Sequence, residues 1–110
     1  MKHFALIALL GLAAPAFAEG TAAPEKATAC FACHGEGGRS TNGMYPVLAG
    51  QYPNYIEHAL NEYKEGKRKS PIMGGQAAAL SKDDIKALAQ YFGAQESPLY
   101  TPSVHGALKP

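Results

Sequence analysis

The two cysteines of this 110-residue chain are three positions apart, and a histidine follows the second, in the stretch ACFACHGEGG at residues 29–38. In a helix, positions i, i+3 and i+4 share one face, so Cys30, Cys33 and His34 would point the same way. Four chemistries could use this arrangement: a disulfide, half of a zinc site, a redox-active dithiol, or covalent attachment of haem.

The first three chemistries fit the rest of the sequence poorly. A bridge between Cys30 and Cys33 would close too small a loop to stabilise the chain much. A thioredoxin-type dithiol requires a βαβ setting, whereas the hydrophobic spacing described below is helical. A structural zinc site needs four ligands, and the other histidines beyond the N-terminal segment, His58 and His105, are single and far apart.

Haem attachment uses all three residues. Two thiols at this separation can add to the two vinyl groups on one side of a porphyrin, and the adjacent imidazole can then reach the iron. Because C-x-x-C-H is the spacing of c-type haem attachment, Cys30 and Cys33 are predicted to bind one haem c covalently and His34 to bind its iron. A porphyrin would also fill a small core that lacks Trp.

The N-terminal segment has the layout of a secretory signal peptide. Lys2 and His3 precede an apolar run over residues 4–14, and small residues follow at Ala16 and Ala18. The apolar run is shorter than the roughly 20 residues that a helix needs to span a bilayer. We therefore expect cleavage after residue 18 and an exported, periplasmic protein without stable membrane insertion.

The sequence after the signal peptide predicts one domain over residues 19–96 and a proline-rich tail over residues 97–110. Loss of Lys2 with the signal peptide leaves nine basic residues against nine acidic ones. Binding to phosphates requires an excess of Lys and Arg, so this balance argues against nucleic acid as the main partner.

Hydrophobic periodicity predicts an all-α fold with three main helices, over residues 24–33, 53–65 and 81–93. The third helix is expected to begin after Ser81, an N-cap with an acidic residue three positions later. Residues 35–52 are predicted to be a long loop. Residues 67–80 are predicted to be irregular, although residues 76–80 could form a short helical turn. The helices and long loops would wrap around the haem.

The second face of the iron has four candidate ligands: Met44, Met73, His58 and His105. His58 projects outside the apolar stripe of its helix and is expected at the surface. Met73 lies in SPIMGG, where a proline stiffens the chain and two glycines permit close approach. Met44 is also within reach, because about ten extended residues span more than the thickness of a porphyrin. Chain length therefore leaves Met44 and Met73 both open.

From Cys30 to Phe92 the chain resembles the class I cytochromes c, especially the small periplasmic type. The matching pieces are CFACHG, YPVLAGQY and SPIMGGQAAALSKDDIKALAQYF, in the family's order. The resemblance implies the cytochrome c fold, in which the C-terminal helix packs across the N-terminal one. The tail after residue 97 is not part of the shared pattern.

The resemblance also implies an assignment of the axial ligands. Met73 corresponds to the family's methionine ligand. The Pro46 carbonyl corresponds to the group that accepts the ring N–H of His34, which would fix the imidazole and strengthen it as a donor. Met44, two residues before Pro46, would then lie on the histidine side and could not bind the opposite face.

Iron held by His34 and Met73 has no free position, which suits one-electron transfer better than substrate binding. Thioether sulfur favours the ferrous state and raises the reduction potential. The sequence therefore predicts a periplasmic electron-transfer protein, not an enzyme, that exchanges electrons with redox protein partners. Two alternatives stay open: a haem-bearing subunit of a dehydrogenase or oxidase complex, and a gas-binding haem sensor in which the methionine bond is weak.

A basic cluster precedes the proposed methionine ligand and consists of Lys64, Lys67, Arg68 and Lys69. It could be the solvated end of a helix, where cations are favoured. It could also form a rim near the haem edge that steers acidic partners and so raises the association rate.

Overall fold

The structure, a computed structural model, describes residues 22–100. Within this range the chain forms four α-helices and no strand: α1 Ala27–His34, α2 Pro53–Lys64, α3 Pro71–Ala78 and α4 Lys82–Ala94. A 3-10 turn, Glu36–Gly38, follows α1. The all-α prediction is confirmed. The predicted signal peptide and residues 101–110 of the predicted tail lie outside the described residues.

Helix α4 supplies more buried side chains to the core than any other helix of residues 22–100. Ser81 Oγ accepts the Asp84 backbone N–H, and the Asp84 side chain accepts the Ser81 N–H, which completes the predicted capping box. The hydrogen bonds that the Asp84 carboxylate accepts from Ser81 lower its pKa below the usual value. The apolar face of α4 is buried, with Ile85, Leu88 and Phe92 each no more than 2% exposed.

Helix α2 begins at Pro53 as predicted and ends one residue before the predicted end. A proline at the first helical position loses no hydrogen bond, because that N–H has no partner within a helix. Ile56, on the apolar side of α2, is buried in the core. Helices α2 and α4 approach closely where Gly93 lies, since a Cβ there would be 2.6 Å from Pro53 Cγ.

Helix α1 begins three residues later than predicted. Pro24 precedes the helix instead of opening it, and its carbonyl accepts the Ala27 N–H in a turn at 2.9 Å. Phe31 packs against two rings of α4, with its centroid 6.2 Å from those of both Tyr91 and Phe92. Such aromatic pairs add stability beyond the buried area and join the first helix to the last.

The prediction of an irregular segment over residues 67–80 is wrong, because α3 occupies most of it. Ser70 caps this helix, its Oγ accepting the Met73 N–H at 3.2 Å, and Pro71 follows at the first helical position. The two glycines of this segment have low helix propensity, so the sequence pattern did not predict a helix here. Tertiary packing compensates: α3 packs against α2, and Ala77 is fully buried.

Candidate haem site

A cavity of about 510 Å³ lies between α1, α2, α3 and the loop before α2. Its volume falls within the about 300–1,000 Å³ usual for pockets that bind small molecules and cofactors. Apolar residues from α2, from α4, from the loop before α2 and from the turn between α3 and α4 form much of its lining: Leu48, Ile56, Leu60, Leu80, Leu88 and Phe92. The cavity is therefore suited to a large, flat, mainly apolar group.

Cys30, Cys33 and His34 all line this cavity from the last turns of α1. Both cysteines are half-buried and carry free thiols. Burial raises the pKa of the Cys30 thiol, and the nearby Cys33 raises it further against the effect of a backbone hydrogen bond. Two thiols and an imidazole thus face one apolar cavity, the donor set that covalent haem attachment requires.

His34 is buried, 7% exposed, and its Nδ1 lies 2.8 Å from the Pro46 carbonyl oxygen. A carbonyl can only accept, so Nδ1 carries the proton and donates it to Pro46. Nε2 is then the nitrogen with the free lone pair, the form in which a neutral imidazole binds a metal. The contact predisposes the ring to bind iron through Nε2.

The loop that carries Pro46 is fixed by Gly38. The Gly38 carbonyl accepts two loop N–H groups, from Leu48 at 2.9 Å and from Ala49 at 3.1 Å. Gly38 has φ +79°, and a Cβ there would lie 2.8 Å from Phe92 Cδ1 and 2.9 Å from Leu48 Cβ. Only glycine fits this conformation and this space without strain. The sequence predicted only that Gly38 lies in the long loop over residues 35–52, without a role at the site.

Tyr45 is a second contact that sequence reasoning missed. Its ring lies edge-on to the His34 ring, with centroids 6.3 Å apart and an interplanar angle of 65°. This contact adds to the Pro46 hydrogen bond in restricting the orientation of the imidazole. The one feature of the sequence that could have indicated this contact is that Tyr45 directly precedes Pro46.

Met73 and Met44 both line the cavity but differ in how they are held. Met73 is half-buried on α3, and Ser70 fixes its backbone N–H. The Met44 N–H is also bound, by Asn42 Oδ1 at 2.9 Å, but the Met44 side chain is 81% exposed in the loop beside the residue that contacts the His34 ring. Met73 is the better restrained of the two sulfur donors.

Of the two histidine candidates, His58 does not line the cavity. His58 is exposed, as predicted, and its Nε2 lies 3.4 Å from Glu62 Oε1 on the same helix. Its side chain is 66% exposed, and the exposed-surface prediction is confirmed. His105 lies outside the described residues.

Three of the four residues of the basic cluster have partners within the chain. Lys64 Nζ donates to the Leu80 carbonyl, and Lys67 pairs with Glu65 at 2.6 Å. Arg68 lies over the Tyr63 ring, with its guanidinium carbon 5.0 Å from the ring centroid. The cluster is therefore not a set of four freely extended cations.

Comparison with known proteins agrees with this geometry. A family model described as Cytochrome c matches residues 17–94, more than two thirds of the chain. Cytochrome c-554(548) of Halomonas halodenitrificans is 36% identical over 81 residues, which cover 71% of this chain and 98% of that protein.

Two further relatives are longer proteins. Cytochrome c4 of Pseudomonas aeruginosa is 40% identical over 93 residues, 83% of this chain and 46% of that protein. The thiosulfate dehydrogenase electron acceptor of Stutzerimonas stutzeri is 41% identical over 66 residues, 57% of this chain and 31% of that protein. The chain thus spans less than half the length of these two relatives.

Among residues 22–100 no helix is long and apolar enough to cross a membrane. The matched family, the C-x-x-C-H motif and the cavity that its side chains line all require the same cofactor. The chain belongs to the cytochrome c family, and it is an electron carrier with covalently bound haem c rather than an enzyme.

Proposed function

We propose that the protein is a periplasmic electron carrier whose haem c is bound through thioethers to Cys30 and Cys33, with His34 and Met73 as the axial ligands of the iron. The observation that carries the proposal is that one apolar cavity is lined by the two thiols, by an imidazole with its Nε2 lone pair free, and by a restrained methionine. Haem, when bound, supplies the one-electron couple between ferric and ferrous iron.

On one side of the cavity, two contacts within the chain orient His34 as a ligand. The bond from Nδ1–H to the Pro46 carbonyl fixes the tautomer and makes Nε2 a stronger donor. The Tyr45 ring also contacts the imidazole and helps to fix its orientation. Little rearrangement would be needed when the charge of the site changes by one, which favours fast electron exchange.

On the other side the chain supplies a thioether, a soft ligand that favours ferrous iron. The apolar lining acts in the same direction, because a site of low polarity disfavours the additional positive charge of the ferric state. Both effects predict a comparatively high reduction potential.

For the electron donor and the electron acceptor we propose only a class of protein. One relative is named as the electron acceptor of a thiosulfate dehydrogenase. This name supports a dehydrogenase as the redox partner, either met by diffusion or held in a lasting complex. Gel filtration of the native material distinguishes the two: a free shuttle elutes near the size of one chain, and a subunit co-elutes with its partner.

The axial assignment is tested with a matched pair of variants, Met73→His and Met44→His, in the matured protein. Imidazole favours ferric iron more than thioether does, so Met73→His should lower the midpoint potential by an appreciable part of the roughly 0.8 V that axial ligands span. Met44→His, in the exposed loop, should leave the potential close to that of the parent protein.

Two results would contradict the proposed axial ligation. If Met44→His lowers the potential and Met73→His does not, the assignment of Met73 is wrong. If the reduced parent protein binds carbon monoxide at neutral pH, the sixth position is open, and the gas-binding alternative replaces the electron shuttle.

A further inference from the structure

The turn that leads to Tyr45 is held together by Asn42. The Asn42 backbone carbonyl accepts the Tyr45 N–H at 3.0 Å, and the Asn42 side-chain Oδ1 accepts the Met44 N–H at 2.9 Å. Ser40 Oγ donates to the same Asn42 carbonyl at 3.0 Å and accepts the Asn42 N–H at 3.2 Å. The residue that fixes this turn therefore lies three positions before the ring that contacts the proposed histidine ligand.

Asn42 is followed by Gly43, and both residues are exposed. In an asparagine, the backbone nitrogen of the next residue can attack the side-chain carbon Cγ and close a five-membered succinimide ring. Glycine permits this best, because it has no side chain to hinder the approach and leaves the backbone free to rotate. A Cβ at Gly43 would meet nothing within 4 Å, so the surroundings of the turn leave room for the ring to close.

The hydrogen bonds around this pair also favour the attack. Within residues 22–100 no acceptor binds the Gly43 N–H, so a reaction at this nitrogen breaks no hydrogen bond of the folded chain. The Met44 N–H already donates to Asn42 Oδ1, the oxygen on which negative charge develops when Cγ is attacked. This bond makes Cγ more electrophilic and stabilises the tetrahedral intermediate.

The two other asparagines of the chain, Asn54 and Asn61, lack these features. Both lie within α2, where helical backbone angles keep Cγ away from the next nitrogen, and both are followed by residues with large side chains. The Asn61 side-chain amide also donates to the Glu57 carbonyl at 2.9 Å. Succinimide formation should therefore be selective for Asn42.

We propose that Asn42 is a site of spontaneous deamidation, and that its conversion to isoaspartate loosens the turn that orients the His34 ring. The Gly43 nitrogen forms a bond to Cγ and loses its proton, and the side-chain nitrogen leaves as ammonia. Water then opens the succinimide at either carbonyl and gives aspartate or isoaspartate. Each conversion consumes one water and releases one ammonia, and it needs neither an oxidant nor a reductant.

Isoaspartate would change the turn in two ways. The chain then passes through Cβ and Cγ of residue 42, which lengthens the backbone and displaces the carbonyl that accepts the Tyr45 N–H. A carboxylate that is ionised at neutral pH also replaces a neutral amide. The first change relaxes the contact between Tyr45 and His34, and the second stabilises the ferric state. These consequences rest on the proposed ligation by His34, whereas the deamidation itself does not.

The first test ages the matured protein in warm, mildly alkaline buffer and follows its peptides by mass spectrometry. The peptide that contains Asn42 should gain the mass that separates an acid from an amide, while the peptides with Asn54 and Asn61 keep theirs. Gly43→Ala is the matched control, since the turn has room for the methyl group, and it should slow the conversion by severalfold or more. Labelling by an isoaspartyl methyltransferase distinguishes isoaspartate from aspartate.

The second test follows the redox centre in the same samples after their return to neutral pH. The electron paramagnetic resonance spectrum of the ferric protein should change in proportion to the isoaspartate fraction. At a fixed poise the ferrous-to-ferric ratio should fall by up to about twofold, as expected for one screened surface charge. Asn42→Asp adds the carboxylate without lengthening the backbone, so it should lower the ratio but keep the parent spectrum.

Two results would overturn the proposal. If the Asn42 peptide keeps its mass in the folded protein but gains mass after denaturation, the turn protects the side chain. If Asn42 converts and the aged protein retains the spectrum of fresh protein, the turn does not orient the imidazole. Failure of the axial-ligand assignment is distinguishable, because it appears in carbon monoxide binding and in the Met73→His potential of freshly prepared protein.

Discussion

The two sides of the haem cavity are built differently. On the histidine side, two segments meet at one ring: α1 supplies His34, and the following loop supplies the Pro46 carbonyl and the Tyr45 ring. That loop is itself bonded to the Gly38 carbonyl. On the methionine side, Met73 lies on the eight-residue helix α3, which is capped by Ser70 and packs mainly on α2.

This difference indicates which axial bond should yield first. A ligand fixed through its ring, its backbone and its supporting loop can leave only if several contacts break together. A ligand on a short helix can leave when that helix frays or moves. We therefore expect the methionine side to be the more easily perturbed, although each side is proposed to provide one bond to the iron.

The largest expected effect concerns the support of the histidine side. Gly38→Ala should destabilise the protein by about 2–5 kcal/mol, from left-handed backbone strain and from overpacking against Phe92 and Leu48. Gly66→Ala is the matched control: φ is +71° there, but a Cβ would meet nothing within 4 Å. It should cost only the backbone part, about 1–2 kcal/mol. Denaturant unfolding of the oxidised holoprotein measures both, and equal losses would refute the supporting role of Gly38.

A smaller effect tests the methionine side directly. Ser70→Ala and Ser81→Ala each remove an N-cap, of α3 and of α4, and each should cost about 1 kcal/mol of unfolding free energy. Only Ser70→Ala loosens the turn that carries Met73. It should increase the fraction of reduced protein that binds carbon monoxide, while Ser81→Ala should not. Equal carbon monoxide binding in the two variants would mean that α3 does not control the sixth position.

A third substitution, with an effect on stability of about the same size, tests the contact that orients the imidazole. Tyr45→Leu removes the aromatic contact with His34 but keeps the Pro46 hydrogen bond, so stability should fall by only about 0.5–1.5 kcal/mol. The electron paramagnetic resonance spectrum of the ferric protein should change, since it reports imidazole orientation. Tyr52→Leu, at an exposed tyrosine outside the cavity lining, is the control. An unchanged spectrum in Tyr45→Leu would show that Pro46 alone orients the ring.

Much of the fold and of the haem site could be predicted from the spacing of residues that are close in sequence. The three-residue interval between Cys30 and Cys33 with the adjoining His34 predicted covalent haem, because those positions share a helical face. The start of α2 at Pro53 and the capping box of α4 were predicted by residues within one turn of each helix end. These features depend on contacts between residues close in sequence, so a pattern of residue types suffices.

Other features depend on contacts between residues distant in sequence, and only the tertiary structure decided them. Helix α3 forms despite two glycines, because packing on α2 and burial of Ala77 outweigh weak propensity. Arg68 is exposed but also lines the cavity, because two tyrosines of α2 hold its guanidinium there. The sequence determined what the chain binds and where its main helices run, since those are local properties. The fold determined how firmly each side of the site is held, since that depends on which separate segments meet.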